Sequence, residues 1–180
     1  MTRRKNILTA TSNSVGQTVA LGRLIGSIMR EGEIIGLIGD LGAGKTQFVR
    51  GLAEGLGIRG EVVSSPTFVV MQEYEQEDCD GEESLVLVHI DAYRLESARD
   101  LASIGWDEEG NEIREGAVVA IEWANMLESF LPDDTLHVNI QHANDGRQIQ
   151  ITGLSEAWDV RLESTAKQAV LDEVYCEHVK

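Results

Sequence analysis

Hydrophobic residues recur along this chain in two rhythms, one helical and one strand-like, and their alternation predicts an α/β fold. Val19, Leu21, Leu24, Ile25 and Ile28 return at helical spacing, which predicts a helix from near Ser14, with Ser12 or Asn13 as its cap, fading at Arg30-Glu-Gly32. Ile34-Ile-Gly-Leu-Ile38 is a short unbroken apolar run and suits a buried strand. Phe48, Leu52 and Leu56 then recur every four residues along one helix face, and Gly55-Leu-Gly57 ends that helix. Residues 1–13 are polar and irregular by the same reading.

Further along, Val62-Val-Ser-Ser-Pro-Thr-Phe-Val-Val-Met71 predicts two strand-like runs parted at Ser64-Ser-Pro-Thr67, because Pro66 has no N–H for a sheet ladder. Residues 72–84 leave a strand and become an acidic, solvated hairpin tip. Leu85-Val-Leu-Val-His-Ile-Asp91 and Val118-Val-Ala-Ile-Glu-Trp123 are apolar runs with an acid at or near their end. The stretch 95–116 reads as polar and helical, with Leu101, Ile104 and Trp106 on its buried side and a turn at Asp107-Glu-Glu-Gly110. Leu136–His142 alternates apolar and polar, Asn144-Asp-Gly146 is a turn signal, and Arg147–Thr152 returns, so an antiparallel hairpin joins the sheet. A last helix is expected over Ala157–Val179, with Val160, Leu162, Leu171 and Val174 in a loose stripe.

The first strand and the helix after it enclose Gly39-Asp-Leu-Gly-Ala-Gly-Lys-Thr46, which reads G-x-x-x-x-G-K-T. Glycines let the backbone turn tightly and bring its N–H groups against phosphate oxygens. The helix that starts there adds unpaired amides and the positive end of its dipole. Leu41, Gly42, Ala43, Gly44, Lys45 and Thr46 are therefore the candidate phosphate contacts. Lys45 should reach the terminal phosphates, and the Thr46 hydroxyl should ligate Mg²⁺. The expected architecture is a P-loop NTPase-like three-layer sandwich with a mixed, partly parallel central sheet, with ATP and Mg²⁺ as ligands. Residues 1–153 form the P-loop ATPase domain and 154–180 a C-terminal helical extension.

Two acids at strand ends, Asp91 and Glu122, complete the candidate catalytic set with Lys45. Neighbouring parallel strands would bring both to the C-terminal edge of the sheet, beside the P-loop. One could ligate Mg²⁺, directly or through water, and the other could position an attacking water. His89 shares a strand face with Asp91 and could orient it, or simply pack in the core. Arg147 could reach the nucleotide from the start of the return strand, or stand as a surface arginine. Trp123 could wall the site, and the hydroxyls at 64, 65 and 67 could face a γ-phosphate as a switch segment does.

Composition narrows the partners. The formal charge is −16, with 15 Lys plus Arg against 31 Asp plus Glu. Such a chain repels a phosphate backbone, so any work on nucleic acid needs a partner to hold it. No apolar run is long enough to span a membrane. No apolar core follows the basic start, which argues against a signal peptide and for a cytoplasmic protein. Cys79 and Cys176 lack ligand spacing and read as unpaired thiols.

In order along the chain, Gly39–Thr46, Ser65-Pro-Thr-Phe68, His89-Ile-Asp-Ala-Tyr-Arg94 and Ile121-Glu-Trp123 together resemble the TsaE (YjeE) family. These are small bacterial P-loop ATPases of tRNA threonylcarbamoyladenosine biosynthesis, and the resemblance covers roughly residues 10–153. It implies Mg-ATP as ligand and TsaB and TsaD as partner proteins, with tRNA touched only through their complex. It also implies phosphate binding by Leu41–Thr46, Mg²⁺ held by Thr46 and Glu122, and Asp91 in or beside that shell. Ser65 and Thr67 would form the switch-like loop, with Trp123 adjoining the site. The acidic loop near residues 75–84 and the segment after Gly153 extend beyond the family's usual pattern.

Two other activities use a P-loop. A small-molecule kinase needs a lid, usually arginine-rich, and no arginine cluster follows the P-loop helix. A nucleotide-gated binding module would bind ATP with negligible hydrolysis and use it to order Ser64–Phe68. A GTPase is disfavoured, because no Asn/Thr-Lys-x-Asp element follows the P-loop.

Overall fold

A computed structural model describes residues 5–66, 70–76, 84–95, 97–106, 111–153, 158, 161, 162 and 175–177. Strands β1 (Lys5–Ser12), β2 (Ile34–Ile38), β3 (Met71–Glu75), β4 (Val86–Asp91), β5 (Ala117–Glu122), β6 (Leu136–Ala143), β7 (Gly146–Gly153) and β8 (Tyr175–Glu177) form one sheet. Its order is β3-β4-β5-β2-β6-β7-β1-β8. The centre, β4-β5-β2-β6, is parallel, and the flanking pairs are antiparallel. Helices α1 (Val15–Gly26), α2 (Lys45–Gly55), α3 (Ala98–Ser103) and α4 (Asn111–Arg114) join them, with short 3₁₀ turns between.

Side-chain alternation sorts each central strand onto two cores. Leu87, Val118, Ala120, Ile35 and Leu37 point to one face, where α1 and α2 cover them. Val88, Ile90, Val119, Ile121 and Ile34 point to the other, against Leu101, Trp106, Ala124 and Leu127. Helix, sheet and helix make the expected three layers. Beyond β2, the strands β6, β7 and β1 carry Gln141, Gln148 and Thr11 on an exposed second face, which accounts for their apolar–polar alternation.

Helices α1 and α2 meet backbone to backbone. A Cβ on Gly22 would lie 2.2 Å from the Phe48 carbonyl oxygen, and one on Gly51 would lie 1.9 Å from that of Val19. Gly26 and Gly55 continue the same seam. The contact lets Phe48, Leu52, Leu21 and Ile25 bury completely between the helices and the sheet.

The structure departs from the sequence reading in several places. Residues 5–12 are a strand, not an irregular lead, because β1 pairs along its length with β7, far away in the chain. Ser14 itself caps α1, accepting from the Gln17 N–H. Val62 ends a 3₁₀ turn, Gly60–Val62, and lies in no strand. The Arg50 guanidinium donates to the Val63 carbonyl at 3.0 Å and fastens this segment to α2, not to a sheet edge. The polar stretch 95–116 contains two short helices, α3 and α4, with Asp107–Gly110 outside the described residues. Most of the acidic tip and most of 157–179 also lie outside them. Of the predicted final helix, Trp158, Arg161 and Leu162 are helical, and Trp158 and Leu162 join the first core, but Tyr175–Glu177 instead pairs antiparallel with β1.

Replacing Gly51 with alanine sets a helix-propensity gain of about 1 kcal/mol against a backbone clash in a filled seam. The clash wins. The expected net loss is about 1–3 kcal/mol in urea unfolding, and a raised midpoint would show that α1 and α2 are not in backbone contact.

Candidate functional site

The turn from β2 to α2 is built by glycines in the left-handed region, where other residues are strained: φ is 74° at Gly42 and 113° at Gly44. Gly44 is the N-cap of α2 and offers no side chain, so the first amides of the helix remain open to a ligand. The loop borders a cavity of about 560 Å³, which Ser65, Asp91, Glu122, Trp123 and Arg147 also line. Leu41–Thr46, Ser65, Asp91, Glu122, Trp123 and Arg147 therefore face one space, whereas Ser64, whose hydroxyl donates to Gln72 Oε1 at 3.3 Å, and His89 do not line it, and Thr67 lies outside the described residues. Leu41 sends its side chain into solvent, at 86 % exposure, so its contribution is backbone alone.

The parallel register of β4 and β5 sets Asp91 directly beside Glu122, as the sequence predicts. Both are buried, at 3 % exposure. Both share the sheet face of Leu87 and Val118, beneath the start of α2. Thr46, the second residue of α2, donates its hydroxyl to Glu122 Oε1 at 2.7 Å. His89 Nε2 lies 3.0 Å from the same oxygen. His89 thus contacts Glu122, and not Asp91, which it shares a strand face with. Asp91 Oδ1 accepts the Tyr93 N–H at 3.0 Å, while its Oδ2 is buried with no hydrogen-bond partner among the described residues.

Lys45 is buried, and its ammonium donates to the Gly39 and Asp40 carbonyls at 2.7 and 3.0 Å. It also sits 3.7 Å from the centre of the Trp123 ring, a cation–π contact. Trp123 holds that position with φ of 60°, and Tyr93 packs against its ring at 5.0 Å. Burial lowers the Lys45 pKa, against the opposing charges of Glu122, Asp91 and Asp40.

Arg147 reaches the loop, though its described contacts are with protein. Its guanidinium donates to the Ala43 carbonyl at 2.8 Å, the Gly42 carbonyl at 3.1 Å and the Gly146 carbonyl at 2.8 Å. It ties the loop to the β6–β7 hairpin and brings a positive charge to the cavity wall.

The sequence alone singles out neither Ser12, Ser14 nor Thr18 as site residues, yet at the β1–α1 junction they line the same cavity. Ser12 Oγ and Thr18 Oγ1 are 2.8 Å apart, and Ser12 Oγ also donates to the Ser14 carbonyl at 2.9 Å. The available signal was the alternation of buried Leu8, Ala10 and Ser12 with Thr9 and Thr11.

Comparison with known proteins is consistent along most of the chain. A family model described as "Threonylcarbamoyl adenosine biosynthesis protein TsaE" matches residues 12–149. The tRNA threonylcarbamoyladenosine biosynthesis protein TsaE of Bacillus subtilis is 36% identical over 152 residues, covering 84% of this chain and 89% of that protein. The protein of the same name from Streptomyces coelicolor is 38% identical over 144 residues, covering 77% and 91%. That of Nostoc sp. is 41% identical over 139 residues, covering 75% and 79%. The crystal structure of Bacillus subtilis YdiB matches the fold with a TM-score of 0.68 at 27% identity, covering 92% of this chain and 97% of that one.

The lowered Lys45 pKa has a measurable consequence. Between that pKa and the ordinary value of 10.5, the unfolded chain holds a proton on Lys45 that the folded chain has released. Stability attributable to Lys45 therefore rises with pH across that window. Urea unfolding of the wild type and of Lys45→Met should diverge in the wild type's favour as pH climbs toward 10.5. Parallel pH profiles would show that burial does not perturb this lysine.

Proposed function

The chain belongs to the TsaE family, and from that premise we propose that it binds and hydrolyses ATP as a component of the tRNA N6-threonylcarbamoyladenosine machinery, acting with TsaB and TsaD homologues. The family accounts for the role in threonylcarbamoyladenosine biosynthesis. The observation that carries the ATPase reading is the Thr46–Glu122 bond, which couples the phosphate-loop helix to a strand-end acid inside one cavity.

The residues divide the work by chemistry. Backbone amides from Leu41 to Thr46 cradle the phosphates at the start of α2. Lys45 carries a positive charge to the terminal phosphates, where charge builds in the transition state. Arg147 fixes the loop from the far side through the Gly42 and Ala43 carbonyls. Asp91 or Glu122 orients the attacking water, and Oδ2 of Asp91, without a hydrogen-bond partner among the described residues, is left to accept from it.

The donor set also fits Mg²⁺. Among the described residues no three His, Cys, Asp or Glu side chains form a closed metal cage. A hydroxyl and two carboxylates, Thr46, Glu122 and Asp91, make an open set of hard oxygens instead. That suits an ion that keeps waters and takes phosphate oxygens as its remaining ligands. When bound, Mg²⁺ would supply neutralisation of phosphate charge.

Turnover should be slow in isolation. Arg147 directs its described donors to backbone carbonyls, so the charge that accelerates phosphoryl transfer is left for a partner to bring. The chain's charge of −16 favours contact with tRNA only through the complex. Among the described residues no helix is long and apolar enough to cross a membrane.

Two measurements test this reading. Glu122→Gln and Asp91→Asn should each bind ATP while releasing phosphate about 10²-fold more slowly, or less, in a phosphate-release assay. If both keep the wild-type rate, the carboxylates are not catalytic and a nucleotide-gated binding module is the better description. Reconstitution with TsaB and TsaD homologues, a threonylcarbamoyl-AMP synthase and tRNA should show modification continuing past one turnover only when this chain and ATP are both present. Yield unchanged by its addition would remove the proposed role.

A further inference from the structure

His89 is a buried polar residue in contact with Glu122 that the proposed chemistry leaves unused. It is fully buried, at 0 % exposure, on the face of β4 that looks toward α2. Its Nε2 lies 3.0 Å from Glu122 Oε1, reaching diagonally across the β4–β5 ladder, in which His89 is paired with Ala120 and Asp91 with Glu122. Its Nδ1 has no hydrogen-bond partner among the described residues.

These facts choose the tautomer. A lone pair on Nε2 facing an ionised carboxylate oxygen at this distance would be repulsive, so Nε2 carries the proton and donates. Nδ1 is then a bare acceptor, which needs no buried N–H to be left without a partner. Glu122 Oε1 thereby receives two donors, the Thr46 hydroxyl and the His89 ring. Its lone pairs are engaged, the carboxylate plane is fixed, and Oε2 is the oxygen left to face the cavity.

We propose that His89 is a positioning residue that, with Thr46, locks the rotation of the Glu122 carboxylate so that one defined oxygen is presented to the metal and phosphate. The proposal rests on the function given above and deepens it. Thr46 alone would leave the carboxylate free to swing about its last torsion, because a single hydrogen bond to one oxygen does not fix a plane. His89 supplies the second fixed point from a strand, which does not move with the helix that carries Thr46. Removal of such an orienting partner typically costs 10–100-fold in metal affinity or activity.

The test uses the full chain with two substitutions and one control. His89→Leu fills the space without a donor, His89→Gln keeps an N–H that can reach Glu122, and Leu87→Ala removes packing from the same strand face. In calorimetric titrations of ATP binding against Mg²⁺, His89→Leu should raise the half-saturating Mg²⁺ concentration about 10–100-fold. His89→Gln should stay within about threefold of the wild type. Leu87→Ala should lower the unfolding midpoint and leave the Mg²⁺ dependence alone. On the metal-free chain, ¹⁵N-edited imidazole NMR should report a neutral Nε2–H tautomer for His89, whose signal shifts in Glu122→Gln. A neutral Nδ1–H ring overturns the proposal, as does a His89→Gln variant as impaired as His89→Leu, or a His89→Leu variant with wild-type Mg²⁺ dependence. If wild-type ATP binding ignores Mg²⁺ while the NMR signature is present, the contact stands and the metal reading of the site, with this proposal, fails.

Discussion

The hydrogen bond from Thr46 to Glu122 joins residues 76 positions apart and ties the mouth of the phosphate loop to the sheet. A carboxylate buried at 3 % exposure is costly unless its oxygens are satisfied. Oε1 of Glu122 is satisfied by donors from two separate elements, Oε2 is left to the cavity, and the carboxylate lies beneath the start of α2, where the helix dipole favours negative charge. Lys45, Asp91 and Trp123 gather around this bond. Each is held by a different backbone element: the loop carbonyls at 39 and 40, the turn after β4, and the left-handed step that ends β5.

Such a concentration of buried charge is tolerated because the surroundings are rigid. The glycine seam between α1 and α2 makes the two helices one unit, so the phosphate loop and the β1–α1 junction cannot shift independently. On the opposite side of that unit, apolar side chains of the first core fill the space down to the parallel strands. Arg147 adds a tether from the antiparallel hairpin to the loop's own carbonyls. The site is thus braced from α1, from the sheet and from the hairpin. Opposite charges around Lys45 offset only part of its burial, and that imbalance keeps its pKa low.

The same arrangement explains why the acids sit where they do. In parallel strands, residues paired in register project to the same face, so an acid at the end of β4 and another at the end of β5 are neighbours by construction. The face is fixed by Leu87 and Val118 further back, which must meet α2. The hydrophobic residues four positions earlier therefore aim the carboxylates at the phosphate loop. Packing and chemistry share one pattern.

Much of this was legible in the amino-acid order. The glycine loop, the helix after it, the acid-ended strands and the hairpin all follow from local spacing, because each is dictated by residues within a turn or two of itself. The mixed, layered architecture follows from their succession. What local order could not supply were contacts whose partner lies far along the chain. Strand β1 exists through its pairing with β7, the Val62–Val63 run is held off the sheet by Arg50, and Tyr175–Glu177 becomes strand by adding to β1. His89 was readable as facing the same way as Asp91, yet the choice of Glu122 as its partner depends on the stagger between two strands. Sequence specified which side chains share a face; only the three-dimensional register decided which of them touch, because hydrogen bonds are settled over distances shorter than one step along a strand.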